Sequence, residues 1–304
     1  MTFSDPDLAS LVTEADDPRF ALLDATSVAD LAAIMNDADA TVPGAVRRVL
    51  PDIVAAIEAI SARMETGGRL IYIGAGSAGR MGVLDAAECP PTFNTAPGQV
   101  LALIAGGSAA VVDPVEGAED DASAGARAVD EAAVGPLDTV VGIASSGRTP
   151  YVLGAVAQAR QRGAVTIGLS CNTGTKLSAS VDHPIEIELG PEVVAGSTRL
   201  KAGTAQKLVL NMMSTIAMIR LGKTYGSLMV DVRATNHKLR ERAIRIVTSI
   251  AQVPPETAAA TLEVVGMDVK LASLMLATGD DEASSRARLA AAGGRLRTAL
   301  EGRS

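Results

Sequence analysis

Two carboxylates and two hydroxyl-bearing glycine loops are the residues in this chain whose types and spacing could do chemistry. Glu88 stands in "DAAECPPTFN" (85–94), after an alanine-rich run and ahead of Cys89, Pro90 and Pro91. Glu119 stands in "EGAEDD" (116–121), crowded by Glu116, Asp120 and Asp121. The chain has only two histidines, His183 and His237, in separate contexts. A multi-histidine metal site therefore has no ligands to draw on and a Ser/His/Asp triad has few candidates, so carboxylates become the proton carriers. The ordinary alternative for both glutamates is a solvated surface position, and for both histidines a satisfied structural or surface one. Cys89 precedes a proline and is biased away from the helical region, so a helix is expected to end near Glu88. The negative end of a helix dipole favours a neutral carboxyl over an ionised one, which suits an acid.

The loops are "GAGSAGR" (74–80) and "ASSGRTPYV" (144–152). The first matches GxGxxG at Gly74, Gly76 and Gly79, a dinucleotide signature when an acidic residue follows about 20 positions later. The next apolar run, "QVLALIAGGS" (99–108), ends without one. Two turns that each offer hydroxyls and backbone N–H groups near a helix start suit one small phosphate monoester better than an extended pyrophosphate. Gly76, Ser77, Ser145, Ser146, Gly147 and Thr149 are the candidate phosphate ligands. The competing explanation is that these hydroxyls are plain helix N-caps. Arg80 and Arg148 are phosphate-partner candidates, with helix-surface salt bridges as the equal alternative.

The elements that must position these residues follow from hydrophobic periodicity. Helical spacing over 28–64 stops at Gly67 and Gly68. Five short apolar runs then alternate with helical patterns: 69–74, 99–105, 138–145, 164–170 and 183–189. This predicts an α/β fold with a five-stranded parallel sheet covered on both faces and a ligand beyond the carboxyl ends of the strands. A long buried helix is expected over about Thr198–Leu221 and a basic one over about Thr235–Ala251. After Pro254 and Pro255 the pattern becomes three or four short helices with glycine stops. The expected division is 1–251 for the α/β domain with its N-terminal helices and 252–304 for a small helical domain.

Composition limits the partners. Of 304 residues, 48% are hydrophobic and only 2% aromatic, with no Trp, so base-stacking platforms are not expected. Asp plus Glu outnumber Lys plus Arg by 35 to 27, a formal charge of −8 that disfavours nucleic acid or an anionic membrane surface. The Arg-rich stretch from Arg233 to Arg245 has helical spacing and reads as a solvated face. The start "MTFSDPDLAS" lacks a basic and an apolar region, so no secretory signal is expected, and Cys89 and Cys171 fit neither a zinc spacing nor a disulfide framework. A cytoplasmic protein is the expectation.

The strings "RLIYIGAGSAGRMGVLDAAECPPTF", "VEGAEDD", "GIASSGRTPYV", "RLKAGTAQKLVLNMMST" and "GSLMVDVRATNHKL" closely resemble the N-acetylmuramic acid 6-phosphate etherases, in register from about residue 5 to the C-terminus. The resemblance implies the sugar isomerase (SIS) domain, a flavodoxin-like α/β sandwich that binds phosphosugars, with a small helical C-terminal domain, in homodimers. It implies removal of D-lactate from C3 of N-acetylmuramic acid 6-phosphate to leave N-acetylglucosamine 6-phosphate, in cell-wall amino-sugar recycling, with no metal or organic cofactor. The family's catalytic glutamates fall on Glu88, as proton donor to the ether oxygen, and on Glu119, as base at C2 and in water addition. An ether leaves only if its oxygen is protonated and electrons arrive from the neighbouring carbon, so an acid and a base suit the reaction.

Two points of tension accompany the resemblance. Family members usually read GAGTSGR, so Ala78 stands where a hydroxyl is expected. Gly79 and Glu88 are nine residues apart, roughly 13 Å along a straight helix, so either the helix breaks early or Glu88 serves a neighbouring subunit. Lys201, Lys207 and Asn236 are recognisable family positions without an assigned catalytic role. A sugar-phosphate aldose–ketose isomerase and a non-catalytic phosphosugar-sensing regulator are the competing functions on the same domain.

Overall fold

The computed structural model describes residues 11–232 and 236–302. Arg233 and Thr235, which open the expected basic stretch and helix, lie outside the described residues. Three helices come first, α1 (Val28–Ala40), α2 (Val42–Arg48) and α3 (Leu50–Glu65). Strands and helices then alternate: β1 (Leu70–Gly74), α4 (Gly76–Phe93), β2 (Val100–Ile104), α5 (Ala122–Glu131), β3 (Thr139–Ile143), α6 (Pro150–Gln161), β4 (Val165–Ser170), β5 (His183–Glu186) and α7 (Lys201–Arg220). A short hairpin, β6 (Thr224–Tyr225) and β7 (Leu228–Met229), precedes α8 (His237–Ala251), α9 (Pro255–Val264), α10 (Val269–Thr278), α11 (Glu282–Ala291) and α12 (Leu296–Glu301).

The described chain forms two compact units, one of residues up to Ala87 with Gly98–Ser214, the other of Glu88–Pro97 with the residues from Thr215 on. The expected division at 251/252 falls between α8 and α9, both in the second unit.

In the first unit all five strands pair in parallel in the order β2-β1-β3-β4-β5. This is the flavodoxin-like order, whose switch point lies between β1 and β3, where successive connections leave in opposite directions. Because helices cover both faces, β1 and β3 are buried along their whole length and read as unbroken apolar runs. Ile71, Ile73, Val140, Val152, Val156 and Leu177 meet in one core on one side of the sheet. At the amino ends of the strands Asp138 ties β1 to β3. Its carboxylate accepts from Arg69 N, Nε and Nη2 at 3.0, 3.0 and 2.6 Å and from Gly135 N at 2.9 Å.

The second unit has its own core of Val230, Val232, Ile246, Val247, Leu262, Leu271 and Leu274. Here Asp231 accepts from Lys223 and Lys270, each at 2.9 Å. Asn236 caps α8 by accepting from Leu239 N at 2.9 Å, which gives this family position a structural task.

The expected helix end near Glu88 is not found. α4 continues through Pro90 and Pro91 to Phe93. Each proline deletes one bond to the carbonyl four residues back, yet its fixed φ is itself helical. The ladder resumes with Asn94 N donating to Pro90 O at 2.9 Å, and the helix stops only at Asn94, whose φ is +50°. The preference of a pre-proline residue for extended backbone was outweighed by the helix on either side of it. Among the described residues no helix is long and apolar enough to cross a membrane.

Candidate active site

The adjacency of β1 and β3 brings the two hydroxyl loops together. A cavity of about 830 Å³ opens at the carboxyl ends of these strands, lined by Gly76, Ser77 and Ala78 from one loop and Ser145, Ser146 and Thr149 from the other. Glu119 and Asp120 stand on the same wall system, with Arg148 and Lys176 supplying positive charge. Strand-end placement at a switch point is where open α/β sheets bind ligands.

In the first loop the glycines serve close packing. A Cβ on Gly79 would lie 2.7 Å from Ile104 Cγ1 and 2.8 Å from Gly74 O, so only glycine lets α4 start against β1 and β2. The GxGxxG pattern thus has a helix–strand packing cause here. In the second loop Gly147 N donates to Ala144 O at 2.9 Å, closing a tight turn, and Leu177 N donates to Gly147 O at 2.9 Å. Gly147 itself is buried under Thr175 and does not line the cavity. Thr149 occupies the N-cap position of α6 but makes no side-chain capping bond. The plain N-cap explanation therefore fails for Thr149, which lines the cavity and leaves its own helix uncapped by a side chain.

Glu119 sits in a single helical turn, Ala118–Asp120, held between Gly117 and the start of α5. Asp121 caps α5. Its carboxylate accepts from Ser123 Oγ at 2.6 Å and Ala124 N at 2.9 Å, and these bonds, helped by Arg127, hold its pKa at about 2. The acidic crowd thus divides its work: Asp121 is the cap, while Glu119 and Asp120 face the cavity. Glu88 is exposed on α4 and is not among the cavity's lining residues. Arg80 donates to Val111 O at 3.0 Å and does not line the cavity either.

Sequence reasoning missed Glu14, Lys176 and Thr198, which also line the cavity. Glu14 arrives through long-range bonds: Asn172 Oδ1 accepts from Val12 N at 2.9 Å, Asn172 Nδ2 donates to Thr13 Oγ1 at 3.0 Å, and Gly196 N donates to Thr13 O at 3.0 Å. No local pattern around residue 14 signals this, because its partners lie about 160 and 180 positions away.

Lys201 is buried and structural. Its Nζ donates to Leu189 O at 2.7 Å, its backbone N and that of Ala202 donate to the buried Glu192 carboxylate at 3.0 and 2.9 Å, and burial pushes the ammonium pKa down. Among the described residues no cluster of three or more His, Cys, Asp or Glu is placed to hold a metal ion.

Comparison with known proteins bears on this geometry. The model of the glucokinase regulatory protein N-terminal SIS domain matches residues 52–160, and that of the SIS domain matches 122–216. N-acetylmuramic acid 6-phosphate etherase of Rubrobacter xylanophilus is 59% identical over 302 residues, covering 98% of this chain and 99% of the relative. The chain belongs to the N-acetylmuramic acid 6-phosphate etherase family. The Streptomyces coelicolor etherase agrees, at 54% identity over 299 residues, with 97% and 96% covered. Among solved structures a phosphoheptose isomerase from Francisella tularensis is similar in fold, with a TM-score of 0.51 at 19% identity over 64% of this chain and 99% of that one. Family membership accounts for a SIS α/β unit followed by a helical region. The cavity at the β1/β3 switch point is where the family's hydroxyl loops meet in this chain.

Proposed function

We propose that this protein cleaves the D-lactyl ether of N-acetylmuramic acid 6-phosphate, as a carbon–oxygen lyase, to give N-acetylglucosamine 6-phosphate and D-lactate in cell-wall amino-sugar recycling. The observation that carries the reading is the meeting of Ser77, Ser145, Ser146 and Thr149 with Glu119 around one strand-end cavity, in a chain of the etherase family. The hydroxyls, with Gly76 and the loop N–H groups, hold the 6-phosphate, and Arg148 and Lys176 balance its charge. With the phosphate fixed, the ring-opened sugar extends towards Glu119. Glu119 takes the C2 proton, which the C1 aldehyde acidifies; the electron pair forms the C2–C3 double bond as the C3–O bond breaks, and the lactate oxygen takes a proton from Glu88. Water then adds at C3 of the unsaturated aldehyde and C2 is reprotonated, so one water is consumed overall.

α4 runs to Phe93 without a break at Glu88, which counts against an early-broken helix carrying Glu88 back to its own cavity. The reading this supports is that Glu88 serves the site of a second copy in a homodimer. The protein works in the cytoplasm, where the phosphorylated sugar would be available.

The test is release of D-lactate from N-acetylmuramic acid 6-phosphate by the purified protein, with Glu88→Gln and Glu119→Gln alongside. Both variants are expected to lose activity by at least about a hundredfold, the usual scale for a positioned acid or base. Co-expressing the two inactive variants should restore activity, because half of each mixed dimer's sites combine an intact Glu88 with an intact Glu119. No lactate from the wild type refutes the etherase reading. Inactive mixed dimers refute the shared site.

A further inference from the structure

Gln206 lies on α7 and is fully buried, 0% exposed. Its Nε2 donates to Ser145 Oγ at 2.9 Å, across 61 positions of sequence. Its Oε1 has no hydrogen-bond partner among the described residues. An amide buried for stability alone would be expected to satisfy both ends, since an unpaired buried carbonyl is costly. This one satisfies only the end that meets a cavity-lining hydroxyl.

The rest of Ser145 is fixed as tightly. Its carbonyl accepts from Cys171 N and from Asn172 Nδ2, each at 2.9 Å, so the backbone cannot rotate away. The Cys171 thiol beside this loop is itself buried, 1% exposed. Burial pushes that thiol up to about 12, so it stays neutral and is a weak acceptor for a hydroxyl proton. A serine hydroxyl has one proton and two lone pairs. With a lone pair committed to the Gln206 N–H, the proton is left for a strong acceptor in the cavity that Ser145 lines. A phosphate oxygen is such an acceptor and offers no proton of its own as a dianion. Were the amide turned over, Oε1 would take the Ser145 proton and present lone pairs to the anion, a repulsive arrangement.

We propose that Gln206 is a positioning residue that sets the polarity of the Ser145 hydroxyl, making it a donor to the substrate's phosphate group. This rests on the reading of the cavity as a phosphate site. Gln206 touches no reacting atom and acts only through Ser145, so its effect belongs to binding and not to the chemical step.

The experiment compares Gln206→Met, similar in size but without the donor, and Gln206→Glu, whose carboxylate would accept the Ser145 proton, with Ser145→Ala and the Ser145→Ala/Gln206→Met double variant. Inorganic phosphate binding is measured by calorimetry, and KM and kcat by D-lactate release. Gln206→Met should weaken phosphate binding and raise KM by about five- to twentyfold, spanning the upper range of a neutral hydrogen bond and the lower range of one to a charged group, with kcat changed less than about twofold. Gln206→Glu should be worse than Gln206→Met. In the Ser145→Ala background Gln206→Met should have no further effect on binding. Unchanged phosphate affinity in Gln206→Met, a fall in kcat at constant KM, or a full additional loss in the Ser145→Ala background would overturn the proposal. The outcomes separate the two layers of inference: wild type that binds phosphate but releases no lactate defeats the etherase reading and leaves Gln206 testable by affinity, whereas wild type that does not bind phosphate defeats both.

Discussion

Alanine at Gly147 and at Gly76 should separate steric from conformational cost within one site. Both glycines have positive φ, +65° and +51°, so alanine at either meets the left-handed penalty of about 1–2 kcal/mol, offset by about 0.5–1 kcal/mol from the stiffer unfolded chain. Their surroundings differ. A Cβ at Gly76 has nothing within 4 Å, whereas one at Gly147 would lie 2.4 Å from Thr175 Cβ and 2.6 Å from both Thr175 Cγ2 and Oγ1. Thr175 has little room to yield. Its Oγ1 is 2.8 Å from Ser178 Oγ and accepts from Ser178 N at 3.1 Å, and its N–H donates to Glu186 at 3.0 Å. Overpacking of this kind costs about 1–3 kcal/mol. Gly147→Ala is therefore expected to lose about 2–4 kcal/mol against about 1 kcal/mol for Gly76→Ala. The assay is urea unfolding followed by circular dichroism, since the chain has no Trp. In a Thr175→Gly background the Gly147→Ala loss should fall to that of Gly76→Ala. Equal losses at the two glycines, or a Gly147→Ala loss untouched by Thr175→Gly, would refute the steric reasoning.

Two further perturbations probe the frame around the site. Burial pushes the Asp138 carboxyl up, but hydrogen bonds from the Arg69 side chain and from the Gly135 and Arg69 N–H groups outweigh it, and the folded pKa lies below the ordinary value. A depressed carboxylate contributes stability fully above its unfolded pKa of about 3.9 and loses it as pH falls through the folded value. Asp138→Asn should cost about 1.5–3 kcal/mol at pH 7, and its gap from wild type should narrow below about pH 4 in urea titrations. Glu192→Ala should cost about 2–4 kcal/mol by orphaning the Lys201 and Ala202 N–H groups at the start of α7, read from the same unfolding curves.

The strands and the two hydroxyl loops were legible in the sequence because each depends on neighbours in the chain. Apolar runs mark β1 to β5 within a residue or three, and in β1, β3 and β4 burial on both faces leaves near-continuous hydrophobic segments. Glu88 and Glu119 were singled out by the family strings and not by local spacing. The two-residue hairpin β6–β7 was too short to leave a pattern, and the helix through Pro90 and Pro91 ran against the local preference that predicted its end. Only the tertiary structure decided what meets what. Strand order places β1 beside β3 and so joins loops about 70 residues apart; Asn172 draws Glu14 to the cavity, and α7 delivers Gln206 to Ser145. Those contacts depend on close approach between distant segments, where a hydrogen bond forms because burial makes an unpaired group costly, and no local spacing encodes that approach.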